Sequence, residues 1–197
     1  MNQSQKIVLI GLLTIVSLAA NALAQTTPKT VTDYLLALPP AHFQLVHPGF
    51  QYEKPQPKTK AQMDDFRRSR IAIEDIKNGF IKYTEVPADG DLDWTEIALF
   101  KKSSGGYVMA IARSVFYKGC DTTLDFLEYN GGSWFKVTKQ YSPKLTPAME
   151  KKTGGYKFCF QLPEEGRTLR AYSRWYDEPE KTVGEFEWNG ERFVVKR

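Results

Sequence analysis

Residues 126–135 read FLEYNGGSWF, and residues 186–193 return to the same idea as FEWNGERF. In both stretches aromatic residues flank an Asn-Gly pair. Asn and Gly are the residues that accept positive φ at the centre of a type I′ turn, whose twist matches that of right-handed strands. Aromatics on either side of such a turn pack across the paired strands. A third pair, Asn78-Gly79, lies between RIAIEDI (70–76) and FIKYTEV (80–86). These three pairs read as hairpin corners, a scaffold element used repeatedly, and not as ligand-binding loops.

The same grammar extends outward from Arg70 to the end of the chain. WTEIALFKK (94–102) and YVMAIARSVFY (107–117) flank Ser103-Ser104-Gly105-Gly106, and SWFKVTK (133–139) follows TTLDFLEY (122–129) across Asn130-Gly131-Gly132. GYKFCFQL (155–162) and RTLRAYSRWY (167–176) flank Pro163-Glu164-Glu165-Gly166, and VGEFEW (183–188) meets RFVVKR (192–197) at Asn189-Gly190. Ten runs of strand composition alternate with turn residues. Parallel pairing needs connections of a dozen or more residues, so neighbours must pair antiparallel. The predicted fold is mainly β, an antiparallel meander of about ten strands forming a barrel or a sandwich. Partial matches, Gly105-Gly106-Tyr107 with Gly154-Gly155-Tyr156 and Glu128-Tyr129-Asn130-Gly131 with Glu187-Trp188-Asn189-Gly190, hint at an internal repeat.

Ahead of this domain the pattern is helical. Thr30 and Asp33, then Thr59 and Gln62, hold the spacing of a capping box, with a hydroxyl three residues before a side-chain acceptor. One or two short N-terminal helices are expected, the first ending at Pro39-Pro40. Residues 41–60 read as an irregular connection, and FRRSR (66–70) as a solvated face. The expected organisation is therefore a leader over 1–24, a helical and Pro-containing segment over 25–69, and a β domain over 70–197, with 25–197 forming a single globular unit.

The leader reads as a cleaved secretory signal: Lys6, an apolar run from Ile7 to Ala20, and small residues up to Ala24. Export to the periplasm or the extracellular space is the expectation, with no transmembrane span in the mature chain. Cys120 and Cys159 would then meet an oxidising compartment, which favours a disulfide. Closing 39 residues corresponds to roughly 4 kcal/mol in the loop-entropy description. A formal charge of +4, one unit of it from Lys6, is too mild for a nucleic-acid partner.

No nucleophile elbow, phosphate loop, dinucleotide fingerprint or C-x-x-C occurs, and no cofactor is implied. The leading candidate for recognition is the stripe Arg170, Tyr172, Arg174 and Tyr176 on one side of a predicted strand. Guanidinium forks interleaved with phenols suit a sugar ring or an anionic group. A weaker candidate is Asp89, Asp91 and Asp93, with Glu96 beyond them, as oxygen ligands for a hard cation, although EF-hand spacing fails there. His42 and His47 lack a third ligand for zinc. Glu74 with Asp75, Asp125 with Glu128, and Glu185 with Glu187 are available as acidic pairs. The expectation is an exported, non-catalytic binding or interaction domain of the bacterial envelope, its partner an envelope component or a glycan. The alternative is a small secreted hydrolase acting on cell-wall or polysaccharide material through paired carboxylates. A third reading is a self-associating component that pairs through an edge strand.

Overall fold

A computed structural model describes residues 27–52, 54–84, 92–116, 119–155, 157–174 and 179–197. The ten expected strands are β1 (Ile71–Asp75), β2 (Phe80–Thr84), β3 (Leu92–Lys101), β4 (Tyr107–Phe116), β5 (Cys120–Asn130), β6 (Ser133–Lys136), β7 (Cys159–Gln161), β8 (Thr168–Ser173), β9 (Lys181–Trp188) and β10 (Phe193–Val195). They form two antiparallel meanders, a six-stranded sheet β1-β2-β3-β4-β5-β6 and a four-stranded sheet β10-β9-β8-β7. Neither closes on itself, so the sandwich is the arrangement present and the barrel is not. The expected leader, 1–24, lies outside the described residues. Among the described residues no helix is long and apolar enough to cross a membrane.

The central strands of the six-stranded sheet are buried on both faces, while the edge strands β1 and β6 are largely exposed. One face carries Phe80, Ala98, Phe100, Val108, Ala110, Ala112 and Phe126 into a core shared with Phe160, Leu169, Val183, Phe186 and Trp188 of the smaller sheet. The alanines at the centre of β3 and β4 leave room there for the large rings of the opposing layer. The other face sends Ile81, Tyr83, Ile97, Met109, Ile111 and Leu127 into a second core beneath the N-terminal helices. The molecule is thus three layers, helices on sheet on sheet, and the central strands have no wet side.

The hairpin corners form where expected, but by other turn chemistry. Asn130 pairs with Ser133, so the two-residue turn is Gly131-Gly132, and it is these residues that take positive φ, 56° and 83°. Asn78-Gly79 closes a four-residue loop between Asp75 and Phe80, in which the Asp75 carboxylate accepts from the Asn78 backbone and side chain. At the third corner, Asn189 Oδ1 accepts from the backbone of Glu191 and Arg192. Its neighbour Gly190 has φ 99° and accepts from Ser103 N at 2.9 Å. A Cβ on Gly190 would meet Ser103 Oγ at 2.2 Å, so this corner docks the small sheet on the β3–β4 turn. Gly154-Gly155, by contrast, follow a helix, so the apparent repeat with Gly105-Gly106 is not a structural one.

The N-terminal helices exceed the expected one or two. Both capping boxes are present, Thr30 with Asp33 on α1 (Val31–Ala37) and Thr59 with Gln62 on α3 (Lys60–Arg68). Between them, α2 (Pro40–Phe43) and a 3₁₀ turn (Pro48–Tyr52) occupy the stretch expected to be irregular. Pro40 opens α2, the helix position that tolerates a missing N–H. Two more short helices, α4 (Thr138–Tyr141) and α5 (Pro147–Lys152), lie in the connection from β6 to β7.

Arg67 is the largest departure from the reading of FRRSR as a solvated face. It is 2% exposed, its guanidinium donates to the carbonyls of Leu35, Leu36 and Leu38 at 3.2, 2.6 and 2.6 Å, and it lies 4.5 Å from the Phe43 ring centroid. One planar fork satisfies the orphan carbonyls at the end of α1 and ties α1 to α3. Arg67→Met removes the donor to the Leu36 and Leu38 carbonyls, while Leu35 O keeps the Leu38 N–H, and should cost about 3 kcal/mol, read as a lower urea midpoint. Arg67→Lys, with a single ammonium, should recover only part of the loss.

Candidate functional site

The stripe on β8 does not form an open platform. Arg170 donates to Gln161 Oε1 on the neighbouring strand at 3.0 and 2.5 Å and pairs with Glu180 at 2.7 Å. Tyr172 is buried against the Cys120–Cys159 disulfide, with its hydroxyl 3.6 Å from Cys120 Sγ. The Arg170 guanidinium sits 5.2 Å from the Tyr172 ring, so the two share a side as alternation requires. Burial, which alternation does not report, removes the phenol from solvent. A register shift between Ala171 and Tyr172 in the β8–β9 ladder marks the place where the small sheet bends. Arg174 lies over the Phe116 ring at 4.9 Å, and Tyr176 is outside the described residues.

Beside this cluster sits Glu96, which the sequence offered only as a further oxygen ligand for a hard cation and not as a buried carboxyl. It lies on the inter-sheet face of β3, in register with Lys82 of β2 and Ala112 of β4, and is 4% exposed. Its Oε2 accepts from the Leu162 backbone N–H at 2.8 Å, a tie between the two sheets. Burial pushes its carboxyl up to about 7; the Leu162 bond, Lys82 and Trp94 pull the other way, and Glu164 adds to the rise. The Tyr172 hydroxyl is likewise pushed up to about 12, first by burial and then by the charges of Glu96 and Glu180. The signal for Glu96 was the acid interrupting WTEIALF, a run otherwise fit for burial on both faces.

The acidic pairs named from sequence are engaged elsewhere. Glu74 accepts from Thr32, and Asp75 caps its own turn. Asp125 accepts from Thr138 and pairs with Lys136, while Glu128 takes Lys102 and the Tyr141 hydroxyl. Glu185 pairs with Lys196 and Glu187 with Arg167. His47 is buried among the rings of Phe43, Phe66 and Tyr83. No group of three His, Cys, Asp or Glu among the described residues suits a metal. Asp89 and Asp91 fall outside those residues; Asp93 is placed only by its backbone, opposite Val115.

An open cleft lies between α4 and β10, with a volume of about 440 Å³. Tyr141, Phe186, Phe193 and Val195 provide its apolar surface; Lys139, Lys144 and Arg192 provide its charge. The floor is stiff. Phe193 stacks against Phe100, Phe126 and Trp188 with centroids 4.9, 5.7 and 5.2 Å apart. The Tyr141 hydroxyl is already committed to Glu128 at 2.6 Å. Hairpin reasoning could not find this cleft, because α4 falls in a stretch without strand periodicity.

No family model matches the chain, and no curated protein is detectably similar to it. Among solved structures, the chain is similar to a domain of an uncharacterized protein from Porphyromonas gingivalis W83. The match has a TM-score of 0.52 at 14% identity and covers 86% of this chain and 99% of that one. At that identity the likeness is one of fold alone.

Glu96 makes stability depend on pH in a defined direction. Its carboxyl is raised from 4.5 to about 7 by folding, so between these values the folded chain holds a proton that the unfolded chain has released. The stabilisation is complete below pH 4.5 and is lost as pH rises through 7, by about 3 kcal/mol in all. Urea midpoints should therefore fall between pH 5 and pH 8. Glu96→Gln, neutral throughout, should flatten that dependence; parallel pH profiles for the two proteins would exclude Glu96 as its source.

Proposed function

We propose that this chain is an exported, non-catalytic binding domain whose ligand site is the cleft between α4 and β10. One observation carries the reading: a cleft of about 440 Å³, in the range of roughly 300–1,000 Å³ typical of small-molecule sites, joins an aromatic floor to a cationic rim. Export is supported by the Lys6-to-Ala24 leader pattern and by the disulfide. The carboxylates named as catalytic pairs are tied into structural contacts, which leaves them poorly placed for acid–base work.

The hydrolase alternative has one observation in its favour. Glu96 holds a proton near neutral pH, as a general acid must. Its 4% exposure and its bond to Leu162 stand against it, since a substrate would have to part the two sheets to reach the carboxyl.

The readings separate in one experiment. The fluorescent probe 8-anilinonaphthalene-1-sulfonate should bind the folded protein saturably at one site. Val195→Trp, which fills the cleft from an exposed position, should weaken it about tenfold without lowering the unfolding midpoint. Unaltered probe binding in that variant would remove the cleft as the site. Release of reducing ends from peptidoglycan, abolished by Glu96→Gln, would establish the hydrolase instead.

A further inference from the structure

From the charge and chemistry of the cleft we infer that its ligand is an anionic amphiphile, an acidic head on an apolar body; this rests on the binding reading above. Three cations reach the cleft from different places: Lys139 on α4, Lys144 just beyond it, and Arg192 at the β9–β10 corner. All three are exposed, and among the described residues no carboxylate lines the cleft. Several cations elsewhere on the sandwich are paired instead. Lys136, Arg167, Arg170 and Lys196 each face an acid within 3.5 Å. Positive charges gathered without counter-charges raise the local potential and draw in an anion.

The floor decides what accompanies the acidic group. The apolar surface open to a ligand comes chiefly from Val195, 39% exposed, and the half-buried Phe193, with Tyr141 and Phe186 buried behind them. A bare inorganic anion would leave that surface wet, whereas an apolar body would cover it and gain about 25 cal/mol for each Å² removed from water. A neutral amphiphile would gain the burial and forgo the charge. The lysine and arginine heads have no partner within the cleft, and an acidic head supplies one through charge-assisted hydrogen bonds.

Calorimetric titration of the intact protein with decanoate, decanol, decyltrimethylammonium and inorganic phosphate tests this. Decanoate should bind at least about tenfold tighter than the other three, and its advantage should shrink as salt is raised. The triple variant Lys139→Gln, Lys144→Gln, Arg192→Gln changes only exposed residues. It should bring decanoate to the level of decanol while leaving decanol and the unfolding midpoint unchanged. Equal binding of the three decyl probes, or a triple variant that keeps its preference for decanoate, would overturn the acidic head. Phosphate binding as tightly as decanoate would overturn the apolar body. Failure of every probe, the naphthalene sulfonate included, would instead bring down the binding reading on which the inference rests.

Discussion

The six-stranded sheet has apolar side chains on both faces, and every other layer follows from the need to cover them. Within β3, Ile97 faces the helices while Ala98 and Phe100 face the second sheet; within β4, Met109 and Ile111 oppose Val108, Ala110 and Ala112. A single covering layer would leave one of these rows in water, at a cost of about 1.5–3 kcal/mol for each large side chain. The chain supplies two covers from its two ends. The N-terminal helices take one face and the β7–β10 meander takes the other. Any exposed recognition surface is therefore displaced from the middle of the large sheet to its ends and edges, or to the outside of the covers.

Polar groups are buried chiefly where layers must be joined. Arg67 ties α1 to α3 through three carbonyls, the Trp188 indole donates to Lys101 O at 2.7 Å, and Ser103 donates to Gly190 O. These contacts pair donors and acceptors that layer packing would otherwise orphan. Glu96 is different. Its bond to Leu162 N joins the sheets as usefully as the others, but as a carboxylate it carries a desolvation cost that a neutral side chain would not. Losing the proton strengthens the Leu162 bond but incurs that larger cost, so the buried carboxyl is best accommodated below neutral pH; Tyr172 and the disulfide share its surroundings.

The two polar regions of the sandwich differ in what they leave free. At the Glu96 end, Arg170, Gln161 and Glu180 satisfy one another and Tyr172 is covered. At the cleft beside β10, the aromatic groups are fixed by packing and the cations are left to solvent. Pre-formed apolar walls with uncommitted charge at the rim are what recognition of a small ligand requires, and mutual satisfaction is what structural cohesion requires.

Strand number, antiparallel pairing, both capping boxes and the cysteine pairing were legible in the residues, because each depends on neighbours in sequence or on a count. Turn residues mark where FIKYT and WTEIALFK must reverse whatever surrounds them, and a threonine three residues before Asp33 or Gln62 caps its helix locally. The continuous apolar runs Ile97–Phe100 and Val108–Ala112 carried the sign of a doubly covered sheet, which alternation alone hides. Tertiary structure decided the rest: which side of each strand stays wet, that Arg67 turns inward while Arg68 does not, that Tyr172 covers a disulfide, and that α4 meets β10 to leave a cleft. Those outcomes depend on which distant layer arrives above a given residue, and that is set by packing between segments up to a hundred residues apart rather than by any local pattern.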